Sequence, residues 1–211
     1  MGNRYSISNF NPSINALFIH IPKNAGTSIY TALGIKKCHH YFLSDYEKQI
    51  GTKKLGRITT IAFTRNPWDR FISLYNYARM QISHYHNNIE PQKGIYGVHP
   101  DYEILKNSTP RECARLLVEG ELHLPNWNIW LPQCTWLKDS FGNLKKPTFL
   151  GRFENLLTDF EEIRSILDLE TTIPHINQSE KSCYREYFDS ETREIVSSYY
   201  QEDIERFNYK F

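Results

Sequence analysis

Lys23, Asn24, Ala25, Gly26, Thr27 and Ser28 follow one another directly after Pro22. An amine, a glycine and two hydroxyls in so short a run suit an anion, and a phosphate above all. Glycine lets the backbone approach closely, the hydroxyls donate, and a helix opening here aims unpaired N–H groups at negative charge. The run is not a Walker A loop, because the lysine precedes the glycine and no GxxxxGK[ST] occurs in the chain. A second basic position, Arg65, is followed two helical turns later by Ser73, and a guanidinium with a hydroxyl can hold a second phosphate. The chain has 8 histidines. His39 and His40 fall between the two basic segments, where an imidazole titrating near neutral pH suits general-base work.

The elements needed to position these groups are legible as patterns. Residues 16–21 form a short apolar run bounded by Pro22, which predicts a buried strand, a tight loop and a helix stopped by Gly34. Residues 58–63 predict a second strand, after which Asn66 caps a helix with Pro67 at its first position. Residues 148–150 read as a third strand, and 155–167, 110–119 and 190–207 as helices. Residues 81–110 read as an irregular insertion, and 1–15 as a loosely packed leading segment. Strands alternating with helices predict an α/β fold: a single domain over 1–211 with a central parallel sheet flanked by helices and ligands at the carboxyl ends of its strands. Arg70 and Asp69 read as surface or salt-bridge groups, and Trp127, Trp130 and Trp136 equally as core or as an aromatic wall.

Composition narrows the class. With 25 Lys and Arg against 24 Asp and Glu, the net charge of +1 exerts no general pull on nucleic acid, so any anion site is local. The 4 cysteines lie far apart without CxxC spacing, which reads as reduced thiols in a cytoplasmic protein. No stretch approaches a transmembrane span, and HxH spacing at His84 and His86 is too weak to indicate a metal. Met1–Ser6 fits the short N-myristoylation pattern, here read as chance.

Residues 19–28 (IHIPKNAGTS) and 63–75 (FTRNPWDRFISLY) together resemble the two 3′-phosphoadenosine 5′-phosphosulfate (PAPS) signatures of the sulfotransferase superfamily. The closer resemblance is to its carbohydrate branch, the heparan and chondroitin sulfotransferases, which residues 150–160 and the tail around Tyr200, Asp203, Ile204, Phe207 and Tyr209 also resemble. The resemblance implies a P-loop-like, nucleotide-kinase-like fold and a PAPS-dependent sulfotransferase that needs no metal. It assigns Pro22, Lys23, Asn24, Ala25, Gly26, Thr27 and Ser28 to the 5′-phosphosulfate, Arg65 and Ser73 to the 3′-phosphate, and Lys181 and Ser182 to a loop over the nucleotide. Residues 40–46 resemble the catalytic-histidine segment of uronyl 2-O-sulfotransferases. His40 is therefore the first candidate base and His39 the next, with Asp45, Glu47 and Glu154 as carboxylate alternatives. The expected acceptor is a hydroxyl of a small molecule, glycan or glycolipid. A kinase-like phosphoryl transferase and a non-catalytic nucleotide-binding protein are the competing readings.

Overall fold

The computed structural model describes residues 7–36, 38–80, 99–122, 129–173 and 183–211. Its packing divides into two compact units, Met1–Arg65 with Gln133–Ser179 and Asn66–Pro132 with Glu180–Phe211.

The first unit is built on a four-stranded sheet in the order β1 (Phe10–Asn11), β2 (Ala16–Ile19), β3 (Thr59–Thr64), β4 (Phe149–Arg152). β2, β3 and β4 are parallel, with Ile61 opposite both Phe18 and Phe149. β1 pairs antiparallel with β2, so the sheet is mixed rather than all parallel. Asn15, at positive φ, closes the short reversal between the two strands, and the carbonyl of Asn9, also at positive φ, accepts from the Phe18 N–H at the far end of β1. Within the segment expected to be loosely packed, Asn9 is wholly buried.

Period-two alternation sends Ala16 and Phe18, Ile61 and Phe63, and Phe149 into one cluster. Ile29, Ala32 and Leu33 of the first helical segment close it from α1 (Gly26–Ala32), and Phe160 and Ile163 from α8 (Leu156–Leu167). The unit also contains α2 (Leu43–Ile50), α3 (Thr52–Leu55) and α7 (Gln133–Trp136). Because the three parallel strands share one register, their carboxyl ends bring the Pro22–Ser28 loop, Arg65 and Arg152 to the same edge.

The second unit is helical: α4 (Pro67–Ala78), α5 (Tyr102–Leu105), α6 (Pro110–Glu119), α9 (Ser190–Tyr199) and α10 (Gln201–Phe207). The Asn66 cap is as the sequence predicts, its Oδ1 accepting from the Trp68 and Asp69 N–H groups, with Pro67 at the first turn. Arg70 is not a surface group. It is 1 % exposed and donates to the Ile129 and Leu131 carbonyls. Trp130 and Trp136 are core residues, each in its own unit, while Trp127 lies outside the described residues. The expected helix over 190–207 is broken at Tyr200, whose ring is buried and whose hydroxyl donates to the Trp130 carbonyl. No helix among the described residues is long and apolar enough to cross a membrane.

Candidate functional site

The loop after β2 is held in an unusual backbone shape. Lys23 and Ala25 both take left-handed φ, at 69° and 59°, which costs free energy for residues with a Cβ. Ala25 stands at the N-cap of α1, where it supplies no side-chain acceptor. The first-turn N–H groups of α1 are thus left without a side-chain cap, as an anion cradle requires.

Gly26 is needed here for a reason not visible in its neighbours. A Cβ at this position would lie 1.7 Å from His20 Nε2, so the imidazole occupies the space a side chain would take. His20 itself sits just past the end of β2 and is 3 % exposed.

Arg65 meets this loop from the end of β3. Its Nη1 donates to the Lys23 carbonyl at 2.9 Å, and its guanidinium lies 4.1 Å from the centre of the Phe153 ring. Burial, and then the positive charge of Arg65, pull the Lys23 ammonium from its ordinary 10.5 down to about 8. Two cations thus share a poorly solvated place, and a bound anion relieves both penalties. Within this unit an uncapped helix start, an ammonium and a guanidinium lie together, an arrangement suited to an anion.

Gln133, which sequence reading passed over, ties the two strand ends together. It is wholly buried; its Oε1 accepts from Asn24 Nδ2 at 2.8 Å and from the Arg65 N–H at 2.9 Å, and its Nε2 donates to the Arg65 carbonyl at 2.8 Å. Asn24 Nδ2 also donates to the Phe63 carbonyl, which leaves its buried Oδ1 without a partner. Removing Gln133 unpairs several buried groups at once. Gln133→Ala is expected to lower stability by about 2–4 kcal/mol, measured by urea denaturation, and to weaken anion binding with it.

His40 is half-buried and His39 exposed. The His40 ring lies 4.1 Å from that of His20 and meets Trp136 edge-on at 6.0 Å. His40 Nδ1 is 3.0 Å from the His20 carbonyl oxygen, which can only accept, so Nδ1 carries a proton and the neutral form of the ring has its lone pair on Nε2. His20 is held neutral: burial, then the nearby His40, keep its pKa well below 6.5. Burial pushes the Cys38 thiol up to about 12, and its sulfur lies within hydrogen-bond reach of His20 Nδ1, at 3.2 Å.

The segment carrying the histidines is anchored by Asn9, whose side chain accepts from the His39 N–H and donates to the His39 and Phe18 carbonyls. Asp45 accepts from the Phe42 N–H at the start of α2, and Glu47 accepts from the Ser140 N–H and hydroxyl. Both carboxylates are thereby engaged in structural bonds. Glu154 is exposed in the turn before α8.

Lys23, Arg65, Gly26, His20 and His40 accordingly form one connected set in the first unit. Ser73 is half-buried on α4 in the second unit. Lys181 and Ser182, with His84 and His86, lie outside the described residues. Among the described residues, no group of three or more His, Cys, Asp and Glu side chains is placed to hold a metal ion. Gln133 and Phe153 were missed because each acts on a partner remote in sequence, whereas His20, which the sequence reads as a structural residue within the first strand, lies just past that strand and fills the space beside Gly26. The histidine preceding IPK and the glycine six positions on were nevertheless both within the quoted motif.

Comparison with curated proteins and with solved structures returned no match. A family model described as the sulfotransferase family matches residues 8–210, nearly the whole chain and both of its units, and on that match the chain belongs to the sulfotransferase family.

Proposed function

We propose that this sulfotransferase uses PAPS as donor and sulfates a hydroxyl of a carbohydrate-like acceptor, acting as one domain over 1–211. The observation that carries the donor assignment is the pairing of Lys23 and Arg65 at the strand ends, two cations brought together where water is scarce. PAPS, when bound, supplies an activated sulfuryl group on a phosphate leaving group. The backbone N–H groups of Gly26, Thr27 and Ser28 bind its 5′ end, and Arg65 its 3′-phosphate. The family resemblance adds Ser73, Lys181 and Ser182 to the donor set, and the acceptor class rests on that resemblance alone.

Lys23 offsets the negative charge that develops as the donor's sulfur–oxygen bond breaks. His40 Nε2, the ring nitrogen with the lone pair, takes the proton from the acceptor hydroxyl as the new sulfur–oxygen bond forms. His39, being exposed, is the second choice. With Cys38, Cys113, Cys134 and Cys183 all free thiols, the reading extends to a reducing compartment such as the cytoplasm.

The test is calorimetric titration with 3′-phosphoadenosine 5′-phosphate, run beside ATP with Mg²⁺ and repeated on Arg65→Ala. The expected result is metal-independent binding of the former, weakened by roughly tenfold or more in the variant. Preference for ATP with Mg²⁺ would return the chain to the phosphoryl-transfer reading, and no binding of either nucleotide to the non-catalytic one.

A further inference from the structure

Away from the donor loop, the first unit carries a tight, heavily bonded turn that presents a phenyl ring to water. Phe141 is 86 % exposed, whereas the other exposed large apolar side chains among the described residues lie between 48 % and 54 %. The turn beneath it is over-determined. Lys138 bridges Leu144 antiparallel, and the Asp139 N–H donates to the Asn143 carbonyl. Asp139 Oδ1 accepts from the Phe141 and Asn143 N–H groups, while Oδ2 pairs with Lys145 at 3.0 Å. Gly142, with φ at 82°, completes the reversal. The turn is then pinned to α2 by Ser140, whose N–H and hydroxyl both donate to Glu47 Oε2. These bonds fix the backbone that presents the ring to solvent.

The charge around it is equally uneven. Residues 43–57, which hold α2 and α3, and residues 138–146 together carry seven lysines and arginines against three carboxylates. The whole chain nets only +1, so the rest of the molecule is negative. Lys48, Lys53, Lys54, Arg57, Lys145 and Lys146 are all exposed. Of the three carboxylates, Glu47 and Asp139 are consumed in building the turn and Asp45 accepts from the Phe42 N–H.

From this juxtaposition of a rigidly presented phenyl ring and a concentrated cationic surface, we infer that the Phe141 turn with α2 and α3 docks the protein on an anionic phospholipid surface. The ring enters the headgroup and acyl boundary while the lysines meet the acidic headgroups. An anionic glycan would satisfy the lysines but gives no role to an apolar tip pointing into solvent, which is why lipid is the favoured occupant. The inference is independent of the donor reading, since none of the residues substituted in its test, Phe141, Lys53 and Lys54, belongs to the donor set or to the candidate bases.

The experiment is co-sedimentation of the full chain with vesicles of phosphatidylcholine containing about 30 % phosphatidylserine, against phosphatidylcholine alone. Binding to the anionic vesicles only is expected, weakened at least about fivefold by Phe141→Ser and roughly tenfold or more by Lys53→Glu with Lys54→Glu. All three side chains are exposed, and circular dichroism verifies that the variants fold. Phe141→Trp should gain quenching by brominated acyl chains beyond that of the wild type. Absence of vesicle binding, equal binding to neutral vesicles, or binding indifferent to Phe141→Ser overturns the inference. Capture on heparin with the same lysine dependence, but with no added quenching in Phe141→Trp, overturns it in favour of a glycan site.

Discussion

Gly26→Ala is expected to unfold the donor loop's support and abolish most turnover, although it adds a single methyl group. That methyl would sit 1.7 Å from His20 Nε2 and 2.2 Å from Cδ2, far inside contact distance, so the ring or the start of α1 must move. Neither can move cheaply. His20 is stacked on Phe18 at 5.3 Å, bonded to the Cys38 thiol and packed against His40, while Gly26 is buried at the head of a helix that carries Ile29 into the core. Overpacking in such a place costs about 3 kcal/mol or somewhat more, to be read as a loss of stability in urea. A displaced His20 also carries His40 with it, and a misplacement near 1 Å is worth roughly a hundredfold in rate. Trimming the ring in a Gly26→Ala, His20→Ala double variant should recover much of the stability without restoring the rate. A Gly26→Ala protein as stable as the wild type would show that the imidazole does not fill this space.

Lys23→Met is expected to move activity and stability in opposite directions. Turnover should fall by roughly a thousandfold, the scale of losing a donor that meets charge developing in the transition state. The ligand-free protein at pH 7, in contrast, should gain about 1–2 kcal/mol, the penalty of keeping the ammonium charged beside Arg65 after allowing for solvent screening. The sign follows from proton counting. Lys23 holds its proton up to about pH 10.5 when unfolded but only to about 8 when folded, so between these values the unfolded chain binds more protons. Stability of the wild type therefore rises as pH climbs from 8 to 10.5, and this rise is absent in the variant. Binding of 3′-phosphoadenosine 5′-phosphate has the opposite dependence. It recharges Lys23 and so weakens above pH 8 in the wild type, while in Lys23→Met that decline is lost. Denaturation and calorimetry at pH 7, 8, 9 and 10 measure both. An unchanged ligand-free stability would place the ammonium in water, away from Arg65.

The parallel strands and the helix starts beside them were legible in the sequence alone. Apolar runs of strand length ending in Pro22 and before Arg65 made β2, β3 and the shared edge of their carboxyl ends predictable, and Asn66-Pro67 wrote its own helix start, since a cap needs only residues within a turn of it. The left-handed turns at Lys23 and Ala25, with no glycine to mark them, could not be read in that way. Tertiary structure decided everything that depends on partners far apart in the chain. Gln133 joins Asn24 and Arg65 across 109 and 68 positions. Arg70, which the sequence reads as a surface or salt-bridge group, is buried, with the Ile129 and Leu131 carbonyls accepting from its guanidinium. The lone pair of His40 is placed by the carbonyl of His20, and Gly26 is glycine because that same residue's ring lies over it. Periodicity and capping are properties of neighbours, whereas the proton position on a ring and the space beside a Cα are set by whatever the fold brings against them.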